Sequence, residues 1–370
     1  RALLPKKIDQ LLVTGRAVSC THDALAAIRM QDDLQQQGGA AGLAAALSVR
    51  NKVSPRFLNV RQLQKRLIEM GLLRDEGPNI GSYPTPDPDY DPIIDSITGE
   101  EPTEWEDMSL AAKAESVSPL VYLCAAKSVK VVPKLEKAFA GSTGMRRLML
   151  ARLLVWHGSE MGLDTVIEEI LRTLKEEMPL PLRKGSLRWC HPAPDHGVMA
   201  ETTYLINMLS RVADKKVMKV FTLLEDRIWK ADRDYRNLRL RIFNYIESFA
   251  YVAERLVFPE FIPLLERLLE LPELQNKIRI SGIEEDVIAE RLTYLAICLS
   301  RALARCGSKK GLMKLSGFTA DNRSLLARCA CDELRALTGL DLGNKADEWL
   351  AALEKWPDQY EPAPWKLRMD

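Results

Sequence analysis

The sequence has no apolar run approaching the ~18–20 residues of a membrane-crossing helix. It has almost no net charge: 52 basic and 51 acidic side chains leave +1, so the global basic excess of many nucleic-acid binders is missing. Cysteine is scarce, seven scattered over 370 residues, too few for a disulfide scaffold. No Gly-x-Gly-x-x-Gly occurs anywhere, so these residues contain no complete dinucleotide-binding fingerprint. Nothing before Leu3-Leu4-Pro5 reads as a signal peptide. These absences argue against membrane and nucleic-acid partners and make a soluble protein with mostly reduced thiols the default; the cytoplasm is the favoured compartment, on which the lack of a signal peptide has no bearing. What is present argues against a wholly disordered chain: 46% of residues are hydrophobic, in a length that accommodates two or three domains.

The neutral total conceals three unlike parts. Residues 75–107 hold eleven acidic side chains, six prolines and no Lys or Arg. Around them, residues 1–74 carry twelve basic against five acidic groups, and residues 108–370 carry 40 against 35. The stretch Tyr83-Pro84-Thr85-Pro86-Asp87-Pro88-Asp89-Tyr90-Asp91-Pro92 predicts extended backbone, since each Pro removes an amide donor and disfavours helix at the residue before it. The segment reads as an acidic linker, either solvated or docked on a basic surface.

Residues 108–370 read as a repeated helical pair. Long amphipathic patterns start near Leu110, Met145, Met199, Leu238, Glu284 and Asp321. Each is followed by a few turn residues and a shorter pattern, as in His157-Gly158-Ser159-Glu160 before Leu163-Asp164-Thr165-Val166-Ile167. A lone pair cannot bury its apolar faces, so the pairs must stack. The pattern resembles the HEAT-repeat and armadillo-like superhelices, and Leu337-Thr338-Gly339-Leu340-Asp341-Leu342-Gly343 with Trp349 resembles a closing repeat. The expected fold is mainly α, an α-solenoid of about six HEAT-like pairs that offers a surface for a protein partner.

Three features inside this part have competing readings. Trp189-Cys190-His191-Pro192-Ala193-Pro194-Asp195-His196 gathers zinc-type ligands without a metal-site spacing, and reads as an irregular loop. Arg233, Arg236, Arg239 and Arg241 crowd one helix start, but Asp232, Asp234 and Glu247 beside them make a solvated ion-paired face. Cys329 and Cys331 lie two apart in a helical pattern, where side chains diverge.

The N-terminal 74 residues hold the most specific signal. Ile8-Asp9-Gln10-Leu11-Leu12-Val13 predicts a short buried strand ended by Thr14-Gly15-Arg16. Gln37-Gly38-Gly39-Ala40-Ala41-Gly42 then predicts a glycine-rich helix start. Such a start suits either an anion at open backbone amides or close helix packing with no ligand.

The order of these elements resembles the end of the FAD-binding region in a large bacterial family of FAD-dependent oxidoreductases. The matching residues are Leu3-Leu4-Pro5-Lys6, Leu11-Leu12-Val13-Thr14-Gly15-Arg16, Ser19 with His22, Arg29, and Gly38 through Ala46. Val53-Ser54-Pro55-Arg56 and Val60 through Leu67 resemble the family's closing helix. Gln10 stands in place of the usual Asn, Asp32 where Pro is frequent, and Gly39 where an aromatic is frequent.

The resemblance implies FAD as cofactor and a hydride moved between flavin and a polar hydroxylated, carbohydrate-like small molecule. Gly15 and Arg16 would approach the ribityl and phosphate region, and Gly38, Gly39, Ala40, Ala41 and Gly42 would aim amides at the ring edge or the pyrophosphate. His22 and Arg29 are the implied substrate-side groups. His22 would take a hydroxyl proton or make a structural hydrogen bond, and Arg29 would hold substrate or pair with Asp23, Asp32 or Asp33. The chain therefore reads as a strand-helix-helix remnant of an α/β FAD domain, the C-terminal portion of a longer or split enzyme. The remaining FAD site would come from an N-terminal part in cis or from another chain. A non-catalytic HEAT-like scaffold is the alternative.

Overall fold

The computed structural model describes residues 3–20, 28, 31–73, 89–98, 119–175, 201–231, 235–282 and 287–365. It is mainly helical and divides into two compact units, Arg1–Pro88 and Asp89–Asp370.

In the first unit the strand expected at Ile8–Val13 does not form, and no strand occurs among the described residues. Ile8 and Leu11 are 54% and 44% exposed, and the Val13 amide donates to the Leu3 carbonyl at 2.9 Å, closing a loop instead of starting a ladder. Apolar sequence alone makes no strand; a strand needs a neighbour to satisfy its backbone groups. The described residues of this unit form a loop followed by two helices. Helix α1 spans Gln31–Asn51 and α2 spans Val60–Glu69. Asp32 and Asp33 in the first turn of α1 complement the positive end of its dipole. Ala44 and Leu47 of α1 close a small core with Leu58, flanked by Leu12, Leu43 and Leu63.

The second unit opens with an element the prolines argued against. Helix α3, Tyr90–Asp95, contains Pro92 as its third residue, where the missing amide is one that a helix leaves unpaired anyway. The Asp89 carboxylate accepts the Asp91 amide and caps it. Tyr90, Ile94 and Ile97 are buried, Lys134 Nζ meets Asp91 at 2.5 Å, and Arg146 donates to the Ile97 carbonyl at 2.5 Å. For residues 89–97 the acidic segment is thus docked on basic side chains; residues 99–118 lie outside the described residues.

Twelve helices follow among the described residues, in six consecutive twos. They are α4 and α5 (Pro119–Ala125, Ser128–Ala140), α6 and α7 (Gly144–Trp156, Leu163–Leu174), and α8 and α9 (Glu201–Met208, Met218–Lys230). Then come α10 and α11 (Tyr235–Leu256, Phe261–Leu269), α12 and α13 (Val287–Arg305, Lys309–Phe318), and α14 and α15 (Ser324–Thr338, Ala346–Glu354). The first helices touch in unbroken series from α4 to α14, and the second helices touch at α7–α9, α9–α11 and α13–α15. Phe221, Phe249 and Phe261 from α9, α10 and α11 meet edge to face, with centroids 5.0, 5.0 and 6.0 Å apart, adding about 0.5–1.5 kcal/mol per pair beyond their burial. In the last pair Trp349 is fully buried and its indole N–H donates to the Gly343 carbonyl at 2.8 Å.

Candidate functional site

Thr14 is extended, and the chain then turns through a short 3-10 element, Gly15–Ala17. Gly15 has φ +74, a left-handed conformation that glycine adopts without penalty. The Val18 amide closes the turn on the Gly15 carbonyl at 3.3 Å, and Val18 is buried. This turn packs against α1 and leaves Arg16 exposed. A Cβ placed on Gly15 would meet nothing within 4 Å, so the outer side of the turn is open to close approach.

The glycine run does not begin a helix. Gly38, Gly39, Ala40, Ala41 and Gly42 lie in the interior of α1, Gln31–Asn51. The acidic first turn and Gln35-Gln36-Gln37 extend the helix forward through residues that favour it. The amides of 38–42 therefore belong to the helical ladder, and they are not the open donors of a helix N-terminus. Gly38 and Gly42 are exposed and lie four apart on one face, which Ala45 and Val49 continue; a Cβ on either glycine meets nothing within 4 Å. Gly39 faces inward, where a Cβ would stand 2.9 Å from Leu72 Cδ1. Ala41 is buried and Ala40 half-buried.

His22 and Arg29 lie outside the described residues, as does the Cys190–His196 loop. So does Arg233, and nothing is described of the side chains of Arg236, Arg239 and Arg241. Among the described residues no cluster of His, Cys, Asp or Glu is arranged to hold a metal. Cys329 is exposed while Cys331 is buried and donates to the Gly343 carbonyl, so the two diverge.

Sequence reasoning missed the clasp that holds the N-terminal loop. Arg56 donates to Asp9 at 2.8 Å and to the Pro5 carbonyl at 2.6 Å, and Ser54 Oγ donates to the Asp9 carbonyl at 2.6 Å. A signal existed: Asp9 is the only acidic residue among the first 22. The Ser-Pro-Arg segment is what fastens the residues leading to the Gly15 turn.

Residues 1–67 match the family of FAD dependent oxidoreductases. The cofactor this match implies is FAD. No curated protein and no solved structure matches the chain. The FAD-oxidoreductase-like region contains the clasp, the Gly15 turn and the whole of α1 and most of α2. A flavin held by this region would meet open space beside Gly15 and along the Gly38–Gly42 face of α1, where no Cβ stands and backbone could be approached closely. Amides inside the α1 ladder would not donate to it. Among the described residues no helix is long and apolar enough to cross a membrane.

Proposed function

We propose that the protein is an FAD-dependent oxidoreductase in which residues 1–67 supply the substrate-facing part of the flavin site. The observation that supports it is the open, positive-φ Gly15 turn packed on α1 inside the segment matching that family. Bound FAD supplies hydride transfer at its N5 position. The Gly15-Arg16 turn brings backbone and a positive side chain to the ribityl and phosphate region. Gly38 and Gly42 keep one face of α1 free of side chains where the cofactor lies. His22 takes the substrate hydroxyl proton as the carbon is oxidised, and Arg29 holds the substrate's polar end. The substrate class is a polar hydroxylated small molecule. The pyrophosphate fingerprint is not in these residues, so the adenine side of the site is supplied by polypeptide outside them. The helices α4–α15 form a HEAT-like array that binds a protein partner.

The test is visible flavin absorbance in the purified full-length protein, followed by stopped-flow reduction. Bound flavin and a His22→Ala variant with slowed reduction but retained cofactor support the reading. A flavin-free preparation that cannot be reconstituted overturns it. That result would favour the second reading, a non-catalytic scaffold, for which the unbroken row from α4 to α14 speaks.

A further inference from the structure

A second chemical site lies in the second unit, independent of the flavin reading. Where α4, α5 and α6 meet, Cys124, Ser128, Trp156, His157 and Arg211 line a pocket of about 370 Å³. His157 follows the last residue of α6, and its Nε2 stands 2.8 Å from the Leu123 carbonyl oxygen. A carbonyl only accepts, so Nε2 carries the hydrogen and the neutral ring presents a lone pair at Nδ1. Ser128 Oγ is 3.0 Å from that Nδ1, and toward the neutral ring its hydroxyl is the donor. The arrangement is a serine whose proton is already directed at an imidazole, with the imidazole held in one tautomer by a third group. Ser128 is exposed at the first position of α5, so an electrophile can reach it.

The surroundings choose the nucleophile and the ligand charge. Burial pushes the Cys124 thiol up, against the opposing pull of Arg152 and Arg211, and so keeps it protonated at neutral pH. The Trp156 indole N–H donates to the Cys124 carbonyl at 2.9 Å, fixing one wall. Arg211 lies over the Trp156 ring, 4.2 Å from its centroid, and is exposed. Its cationic head suits a donor with a carboxylate or phosphate.

We propose that Ser128 is a nucleophilic serine, activated by His157, that accepts an acyl group from esters carrying a negative charge. Ser128 Oγ forms a bond to the ester carbonyl carbon as its proton moves to His157 Nδ1. The carbon–oxygen bond to the alcohol then breaks, and the leaving oxygen takes the proton from Nδ1. Water, deprotonated by the same nitrogen, attacks the acyl-serine and releases the acid, restoring Ser128. Nε2–H on the Leu123 carbonyl stabilises the imidazolium formed in each half.

The experiment treats the full chain with a fluorophosphonate probe and maps the adduct by peptide mass spectrometry. Hydrolysis of 4-nitrophenyl acetate is measured beside that of the succinate half-ester. The expected adduct is on Ser128, absent in Ser128→Ala, and formed about a hundredfold more slowly in His157→Gln. That variant keeps a donor for the Leu123 carbonyl but cannot take a proton. Arg211→Ala should lower the preference for the anionic ester by roughly threefold to fivefold. Two results overturn the proposal: no adduct on Ser128 in the unaltered protein, or labelling unchanged in His157→Gln. Either means that His157 only caps the end of α4. The adduct position in the unaltered protein decides the matter even if a variant fails to fold.

Discussion

The Tyr360 amide donates to the Gly307 carbonyl at 3.0 Å, and Gly307 has φ +91 with the Tyr360 carbonyl oxygen where a Cβ would stand. The two residues stitch the C-terminal segment to the end of α12. Ala363 and Trp365 continue the seam through amides to the Arg305 and Glu254 carbonyls, at 2.8 and 2.7 Å. Gly307→Ala adds both a strained backbone and an overlap with main chain that cannot swing away. It should cost about 2–4 kcal/mol in urea unfolding and open residues 356–365 to protease. A loss too small to measure would show that the segment gives way freely.

Glu254 is 1% exposed and accepts from Arg301 Nε and Arg255 Nη1, each at 2.6 Å. Glu254→Gln leaves the Arg301 guanidinium, itself mostly enclosed, without its counter-charge. The expected loss is about 2–4 kcal/mol, read from chemical unfolding. The exposed Lys345–Glu348 pair is the control, and Lys345→Ala should leave the unfolding curve in place. Equal effects at the two sites would refute the burial argument.

Two carboxylates should give stability opposite pH dependences. Burial raises the Asp321 carboxyl, but the Arg323 side chain and the Arg323 and Arg279 amides outweigh it and hold it below 3.8. Its contribution is present above 3.8 and is lost as pH falls through the depressed folded value. Asp321→Asn should therefore destabilise at neutral pH and flatten the acid limb. For Glu247 burial dominates over the Tyr294 hydroxyl at 3.0 Å and over Arg291 and Arg301, with Glu254 adding to it, so the carboxyl is raised above 4.5. The folded state is penalised above that raised value and relieved as pH falls toward 4.5. Glu247→Gln keeps an acceptor for Tyr294 and should stabilise the protein at neutral pH. Unfolding midpoints from pH 3 to pH 8 would separate the two signs, and a common sign would contradict the assignment.

Gly42 separates folding from cofactor contact. It is exposed in the interior of α1 with open space beside it, so Gly42→Ala should stabilise the helix by about 0.5–1 kcal/mol. If that face meets the flavin, the same methyl weakens FAD binding. Calorimetric stability and flavin titration on the full-length protein should move in opposite directions. Parallel gains in both would take Gly42 out of the site.

Much of the second unit was legible because helices draw their hydrogen bonds from neighbours in sequence. The patterns starting near Met145, Met199, Leu238, Glu284 and Asp321 correspond to α6, α8, α10, α12 and α14, each within a few residues. The candidate flavin site was legible only in part. Gly15 could be read as a turn, whereas Gly38–Gly42 looked like a helix start and is a helix middle. Glycines break a pattern on paper, but Asp32-Asp33 and three glutamines upstream carry the helix past them.

By itself the sequence determined a mainly helical chain, the starts of five of its helices (the pattern near Leu110 begins outside the described residues), the turn at Gly15 and the likeness of residues 1–67 to FAD dependent oxidoreductases. These follow from period, turn chemistry and motif order, all of them local. Tertiary structure alone decided that Ile8–Val13 is a loop, that Tyr90–Asp95 docks as a helix, and that Glu254 is sealed between two arginines. It alone brought Ser128 to His157, 29 positions away. The physical reason is the same in each case. A strand, a docked acidic segment, a buried charge and a polarised hydroxyl each depend on a partner supplied by distant chain, and only packing determines which partner that is.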